Sequence, residues 1–384
     1  MRVGYDALTL QPPFSGVLET VAQAAVALGE ALGEELVVFL PSAWGGLSSP
    51  PAQGSGRQGG LESPPHAEVV RAPLSGRNRL ARILWEQACL PAAARRRGCE
   101  VLHGPAYVLP LRWRGPSVLT VHDLLTLTHP EWCKRGNVWH FRAILPRAAR
   151  QATRIAVPSA SVGEEVAALP GVDGSRVRVL PWGISARYRP APPEEQERVR
   201  ARYGLTGPYL LAVGVIEPKK NHAGLLQIFR RMLSEIPHQL VIAGREGWGD
   251  LRAFRRAWEE LPPARVKLLG YVPAEDLPAL YSGTDLCLQL SWYEGFGIPP
   301  LEAMVCGAAT VVSNRGALPE ISGPGALVVD PADQPETARA LLSLLGDTAA
   351  RRALAERGRA HARQFTWARH VEGLLEVYRE AVGA

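Results

Sequence analysis

The residues richest in chemistry run Trp292-Tyr293-Glu294-Gly295-Phe296-Gly297-Ile298-Pro299-Pro300-Leu301-Glu302-Ala303-Met304. The glycines let the backbone turn tightly and approach a ligand. Pro299 and Pro300 suit the first turn of a helix, where a missing N–H costs nothing. A helix therefore opens here, after a buried-looking strand ending at Leu290. Its start presents N–H groups and a positive dipole end to an anion, and phosphate is the usual occupant of such a place at the carboxyl edge of a parallel sheet. Glu302 falls about one turn inside the helix and Glu294 precedes it in the loop, so the two carboxylates can address different parts of one bound molecule. The bland alternative is a strand-to-helix turn with two surface glutamates.

Three further clusters sit after predicted strands. Gly214-Val215-Ile216-Glu217-Pro218-Lys219-Lys220-Asn221 follows Tyr209–Val213, and its paired lysines can neutralise a diphosphate, with a solvated turn as the alternative. His122-Asp123 follows Ser117–Val121. There an imidazole can donate to a substrate oxygen, or can be merely structural. Phe14-Ser15-Gly16-Val17 joins the first strand to the first helix without a full Gly-x-Gly-x-x-Gly fingerprint. The chain has no Asp-x-Asp after a strand, no Gly-x-x-x-x-Gly-Lys-Ser/Thr loop and no Gly-x-Ser-x-Gly elbow, so metal-dependent nucleotide hydrolysis and serine hydrolysis lose ground.

The elements that must position these residues alternate short aliphatic runs with longer amphipathic stretches, the pattern of parallel strands joined by crossover helices. In the first half the predicted strands are Arg2–Tyr5, Leu36–Leu40, Val101–His103, Ser117–Val121, Arg154–Val157 and Val177–Leu180. The start, Met1 to Asp6, reads as a strand carrying an acid. Helix-like segments are Val17–Leu32, Arg79–Arg97, Val138–Arg150 and Ser161–Leu169. The second half repeats the cycle with Tyr209–Val213, Gln239–Ala243, Val266–Leu269, Leu286–Gln289, Thr310–Val312 and Leu327–Val329, and is helical after Pro331. The fold class is α/β, two doubly wound units: residues 1–190, residues 191–365, and a terminal helix, 366–384, able to pack on either. Residues 41–68 are crowded with Pro, Gly and Ser and read as a loop, either an inert insertion or a lid. The stretch Arg77–Arg97 mixes arginines with Leu80, Ile83, Leu84 and Trp85, as a membrane-facing helix does and a scaffold helix with solvated arginines also does.

Composition sets the outer bounds. The chain has 384 residues, 46% hydrophobic and 21% charged, which excludes wholesale disorder. No stretch reaches the roughly 18 apolar residues of a spanning helix, and neither such a helix nor a signal peptide is expected. Five scattered cysteines give no disulfide framework and no Cys-built zinc site, which fits a reducing cytosol. Residues 1–190 hold 21 basic against 14 acidic residues, net +7, and the remainder is net −1. A basic face serves anionic lipid, nucleic acid or phosphorylated substrates, or is simply solvated.

Taken in order, Val121-His122-Asp123-Leu124, Glu217-Pro218-Lys219-Lys220-Asn221, Glu294-Gly295-Phe296-Gly297-Ile298 with Glu302 eight positions on, and Ser313-Asn314-Arg315-Gly316-Ala317-Leu318-Pro319-Glu320 resemble the family 4 retaining glycosyltransferases of the GT-B fold. The resemblance runs over nearly the whole chain. It implies two facing Rossmann-like domains, 1–190 for the acceptor and 191–365 for the donor, with the terminal helix crossing back to the first. By the same resemblance, Lys220 stabilises a leaving diphosphate, and Glu294 with the amides of Phe296, Gly297 and Ile298 holds the donor sugar. Glu302 binds the ribose hydroxyls, His122 lies by the donor sugar, and Gly16 approaches the diphosphate. Many members carry an arginine where this chain has Val215, so either Lys219 stands as the second cation or phosphate binding is weaker; Gly295 lies in the donor loop.

The expected activity is metal-independent, cofactor-free, retaining transfer of a hexose of mannose or glucose type. The donor is a GDP- or UDP-sugar, and the acceptor a sugar or lipid-linked glycan of the cell envelope. The setting is cytoplasmic with peripheral contact to anionic membrane through the first domain, and nucleic acid is not a partner. Two other readings stay open: a nucleotide-sugar epimerase of the same fold and a non-catalytic binding module. A module has no need of a leaving-group lysine beside Glu294, Glu302 and His122.

Overall fold

In its computed structural model, which describes residues 1–10, 16–42, 64, 66–74 and 78–384, the chain divides into two units. The first comprises Met1–Leu127, Gly136–Gly183 and Phe365–Ala384, and the second Thr128–Arg135 and Ile184–Gln364. The division falls at Gly183/Ile184. Thr128–Arg135 departs from the sequence reading, because it clusters with the second unit although it is flanked on both sides by the first.

The first unit is built on β1 (Val3–Asp6), β2 (Leu36–Pro41), β3 (Glu68–Ala72), β4 (Val101–Gly104), β5 (Ser117–Thr120), β6 (Arg154–Val157) and β7 (Val177–Val179). Among the described residues these form one parallel sheet, in the order β3-β2-β1-β4-β5-β6-β7. Strands β1, β2, β4 and β5 are buried along their whole length. Such burial on both faces is why their sequences are continuous aliphatic runs rather than alternating ones.

Strand β3 was not predicted. It is an edge strand whose residues are mostly half-buried or exposed, so Glu68-Val69-Val70-Arg71 carries little apolar signal. The loop expected over residues 41–68 lies mainly outside the described residues, at 43–63 and 65. The single helix expected over 79–97 is two, Arg79–Ala88 and Leu90–Arg96. Pro91 in the first turn of the second has no N–H with which to continue the ladder.

The terminal helix, Trp367–Val382, is capped by Thr366, whose side chain accepts from the Arg369 amide at 3.3 Å. It buries Val371, Leu374, Val377 and Tyr378 in one cluster with Val3, Tyr5, Val38 and Val101. Gly183 makes room for this return, since a Cβ there would stand 2.2 Å from the Trp367 amide nitrogen.

The second unit carries β8 (Tyr209–Val213), β9 (Gln239–Ala243), β10 (Val266–Gly270), β11 (Leu286–Gln289), β12 (Thr310–Ser313) and β13 (Ala326–Val329). They form a parallel sheet in the order β10-β9-β8-β11-β12-β13. Helices cover both faces, with separate cores around Leu226, Phe229 and Met232 and around Tyr209, Tyr281 and Ala303. Thr128–Arg135 is fixed within this unit by aromatic contacts. His129 stacks on Trp132 at 4.3 Å, the Trp248 indole N–H donates to the Trp132 carbonyl at 3.1 Å, and Lys134 lies 5.3 Å over the Trp248 ring.

Candidate active site

In the second sheet the strand order reverses between β8 and β11, and the crevice at such a reversal is where open α/β sheets bind ligands. The loops leaving these two strands carry the candidate residues. After β8, Gly214 at φ 142° turns the chain into Val215–Asn221, and a single turn at Pro218–Lys220 aims both lysines. After β11, Leu290–Gly297 leads into the helix Ile298–Val305. Backbone and amide bonds sew the loops together: the Trp292 amide donates to the Lys219 carbonyl at 2.7 Å, and the Asn221 amide group to the Leu290 carbonyl at 3.0 Å.

Glu294 is the hub. Its Oε1 accepts from Lys220 Nζ at 2.6 Å, Gln289 Nε2 at 2.9 Å and Ser291 Oγ at 2.8 Å. Lys219 Nζ stands 4.0 Å from its Oε2 and 3.8 Å from Glu217 Oε1. Burial alone would push the Glu294 carboxyl up, but the two ammonium groups and the hydrogen bonds outweigh it and hold it below the usual carboxylate range. Both lysines thus lie in a cluster already matched by carboxylates.

The loop's shape depends on Gly316, at φ 55°, where a Cβ would meet the Glu294 carbonyl oxygen at 2.5 Å. This close approach lets the Ala317 amide donate to that carbonyl at 2.9 Å. Ser313 Oγ donates to the Ser291 carbonyl at 2.6 Å.

The helix start matches the expectation from its prolines. Gly297 caps it at φ 108°. With Pro299 and Pro300 lacking N–H, the amides of Gly297 and Ile298 are the donors there. Glu302, buried in the second turn, accepts from the Tyr281 hydroxyl through Oε2 at 2.9 Å. Burial and the Glu302 charge drive that hydroxyl well above its ordinary pKa, so it stays a donor.

Of the predicted site residues, Lys219, Lys220, Glu294, Gly295, Phe296, Gly297, Ile298 and Glu302 come together in this unit. Gly16 and His122 belong to the first. Gly16 opens the helix Gly16–Leu32 and is exposed, with nothing among the described residues within 4 Å of where a Cβ would stand. Phe14 and Ser15 lie outside the described residues.

His122 follows β5 and is buried between Tyr107 and Trp182, ring centroids 5.1 Å away in each case. Its Nε2 donates to the Pro105 carbonyl at 2.6 Å. Burial holds its pKa down to about 4, so the ring is neutral and the buried Nδ1, without a hydrogen-bond partner among the described residues, bears a lone pair. The sequence reading gave this imidazole a donor role. The structure reverses the sign, because its one N–H is already committed and the free nitrogen accepts.

Sequence reasoning missed Gln289 and Ser291, which orient Glu294. Their signal is two polar residues at the end of an otherwise apolar strand, where nothing polar is needed for packing.

Comparison with known proteins agrees with this architecture. The model of the glycosyl transferases group 1 matches residues 194–361, and that of Glycosyltransferase Family 4 matches residues 14–188. O-antigen chain mannosyltransferase B of Escherichia coli is 34% identical over 289 residues, 73% of this chain and 74% of that one. Serotype-specific mannosyltransferase WbdA of Escherichia coli is 29% identical over 66% of this chain, which spans only 32% of that relative's length. Among solved structures, Anabaena Alr3699/HepE in complex with UDP and glucose superposes with a TM-score of 0.72 at 18% identity, covering 98% of this chain and 99% of that one. With a relative so similar over about three quarters of both chains and a family model on each half, the chain belongs to the family 4 glycosyltransferases and has their GT-B fold.

Proposed function

We propose that this glycosyltransferase moves a hexose, of mannose or glucose type, from a GDP- or UDP-sugar to a polysaccharide or glycolipid acceptor. Configuration at the anomeric carbon is retained, and no metal or other cofactor takes part. The observation that carries the reading is the Lys220–Glu294 pair at 2.6 Å, with Lys219 alongside, at the β8/β11 crevice. As the bond from the anomeric carbon to the diphosphate oxygen breaks, negative charge grows on that oxygen. Lys220, Lys219 and the amides of Gly297 and Ile298 are water-poor partners for it. The acceptor oxygen bonds to the same face of the carbon, and its proton passes to the departing phosphate oxygen.

Glu294 and the amide of Phe296 hold the sugar, and Glu302 takes the ribose hydroxyls. The mannosyltransferase names of the relatives support a mannose-type donor and a glycan acceptor.

The reading extends to work at the cytoplasmic face of an anionic membrane. On the helix Arg79–Ala88, Leu80 and Leu84 are 74% and 68% exposed, one turn apart, with Arg79 and Arg82 on the same element. Arg79 ties it to Asn137 at 2.8 Å on the helix that also exposes Trp139. No helix among the described residues is long and apolar enough to cross a membrane.

The test is thermal stabilisation by GDP, UDP, ADP and their sugar conjugates with EDTA present, followed by NMR of the transferred linkage. A shift with one base and an α-linked product from an α-donor supports the reading. No shift with any nucleotide overturns it, and nucleotide release that is indifferent to acceptor replaces it by an epimerase.

A further inference from the structure

The Lys220–Glu294 pair is made by two loops that lie beyond the ends of their strands. A lysine reaches its partner on a flexible stem, so the 2.6 Å contact depends on what fixes the backbone on either side of it. Part of that hold is direct, through the Trp292 and Asn221 bonds between the loops. The rest runs outside the pair through a strap, Thr128–Arg135, which belongs to the second unit although both its ends run on into the first.

On the Glu294 side, the neighbouring Tyr293 is 6% exposed and meets His129 edge to face, ring centroids 6.0 Å apart at 61°, a geometry that aromatic pairs favour. His129 in turn lies flat on Trp132, and the Glu131 carboxylate accepts from its Nδ1 at 3.2 Å, so the imidazole plane is set from two sides. The turn Pro130–Trp132, entered from His129, places all three side chains.

On the Lys220 side, Trp248 stands on the loop after β9. That loop is bonded to the chain leading into the lysines: the Ile216 amide donates to the Arg245 carbonyl and the Gly247 amide to the Ile216 carbonyl, each at 3.0 Å. The Trp248 indole N–H reaches the Trp132 carbonyl, and Lys134 covers its ring. Contacts therefore run in a closed circuit from Glu294 through Tyr293, His129, Trp132 and Trp248 to the loop of Lys220, and back across the pair itself.

We propose that His129 and Trp132 are positioning residues for glycosyl transfer, holding the loops of Glu294 and Lys220 in register from outside the crevice. The inference rests on the diphosphate and sugar roles proposed above for that pair, and adds what keeps the pair in place. A displaced loop carries cation and carboxylate away from the charge that forms in the transition state, so the loss falls on kcat more than on KM.

The chain carries its own probe, because its lysines are four, Lys134, Lys219, Lys220 and Lys267, and the first three lie in this circuit. In 15N-lysine NMR of the full chain the Lys220 ammonium, identified by its absence from Lys220→Arg, gives a signal that the Glu294 carboxylate protects from exchange. The His129 side chain is 39% exposed, so its removal leaves the core intact. His129→Ala broadens or removes the Lys220 signal and leaves that of Lys267 in place, whereas a general loss of structure moves both. The same variant lowers kcat about tenfold, well below its melting temperature, with GDP-mannose or UDP-glucose as donor and methyl α-mannoside as acceptor. His129→Phe keeps the stack and the edge contact without the ionisable ring; it restores the signal and brings kcat within about threefold of the parent.

An unchanged Lys220 signal in His129→Ala overturns the proposal. So does a lost signal with the parent's kcat, or a His129→Phe variant no better than alanine. Absence of turnover by the parent, or full transfer by Lys220→Ala, overturns the reading of the pair instead. The lysine spectrum, which involves neither donor nor acceptor, then still decides whether the strap holds Lys220 on Glu294.

Discussion

Lys220 Nζ and Glu294 Oε1 meet at 2.6 Å across 74 residues of sequence. If Lys220 serves a diphosphate as proposed, it must turn to it from the carboxylate that it already meets. Glu294 keeps Gln289 and Ser291 during that exchange, so its position does not depend on the lysine.

Replacing Lys220 with alanine is expected to cut transfer by about two to three orders of magnitude. It also costs about 1–3 kcal/mol of stability, because a buried carboxylate loses its strongest partner. Steady-state kinetics and denaturant titration check the two effects separately. Full activity would remove Lys220 from the diphosphate site, whatever the stability.

Gly316→Ala tests the loop without touching a charged group. The new methyl must occupy space 2.5 Å from the Glu294 carbonyl oxygen at φ 55°, and a non-glycine residue in that region of backbone is strained by about 1–3 kcal/mol. Displacement of Glu294 lowers kcat/KM by about 10- to 100-fold and shrinks the nucleotide-induced rise in melting temperature. Unchanged kinetics would mean that the Ala317 bond to Glu294 does not shape the site.

His122 is neutral and carries its proton on Nε2. Its 15N spectrum should show one protonated and one bare nitrogen from pH 8 to pH 5, with no titration near 6.5. The linkage has a definite sign. Below pH 6.5 the unfolded chain binds a proton that the folded chain refuses until about pH 4, so stability is complete above 6.5 and drains away between those values. His122→Asn lacks this penalty, so between pH 7 and pH 5 its stability relative to the parent improves by about 2 kcal/mol. An equal pH response would refute the buried neutral imidazole.

The outward leucines make the membrane reading testable. Leu80→Glu combined with Leu84→Glu should weaken sedimentation with phosphatidylglycerol vesicles more than about tenfold, while transfer to a water-soluble acceptor is preserved. Vesicle binding that survives both substitutions would place the membrane face elsewhere.

Much of this was legible because strands buried on both faces announce themselves. Arg154–Val157, Tyr209–Val213, Gln239–Ala243 and Leu286–Gln289 have the same bounds in sequence and structure. The edge strand Glu68–Ala72 did not, since half its residues face water. At the site, the residue types of the two loops were readable and their meeting was not, because nothing local records that Lys220 and Glu294 share a hydrogen bond. The tautomer of His122 was hidden for the same reason: it is set by the Pro105 carbonyl, a group with no side-chain signature. Glu86 shows the opposite failure. Its helix reads as basic and amphipathic, yet the residue it turns inward is an acid.

The return of Phe365–Ala384 to the first unit has a consequence for how the protein is made. The second unit acquires nearly all of its residues as one continuous stretch, Ile184–Gln364, once Thr128–Arg135 has been synthesised. The first cannot close its core until Val371, Leu374, Val377 and Tyr378 have been added to strands made some 300 residues earlier. On the ribosome the order of completion is therefore the reverse of the order of synthesis. From Gly183 until Phe365–Ala384 is added, about half of the chain, the first unit lacks part of its apolar core.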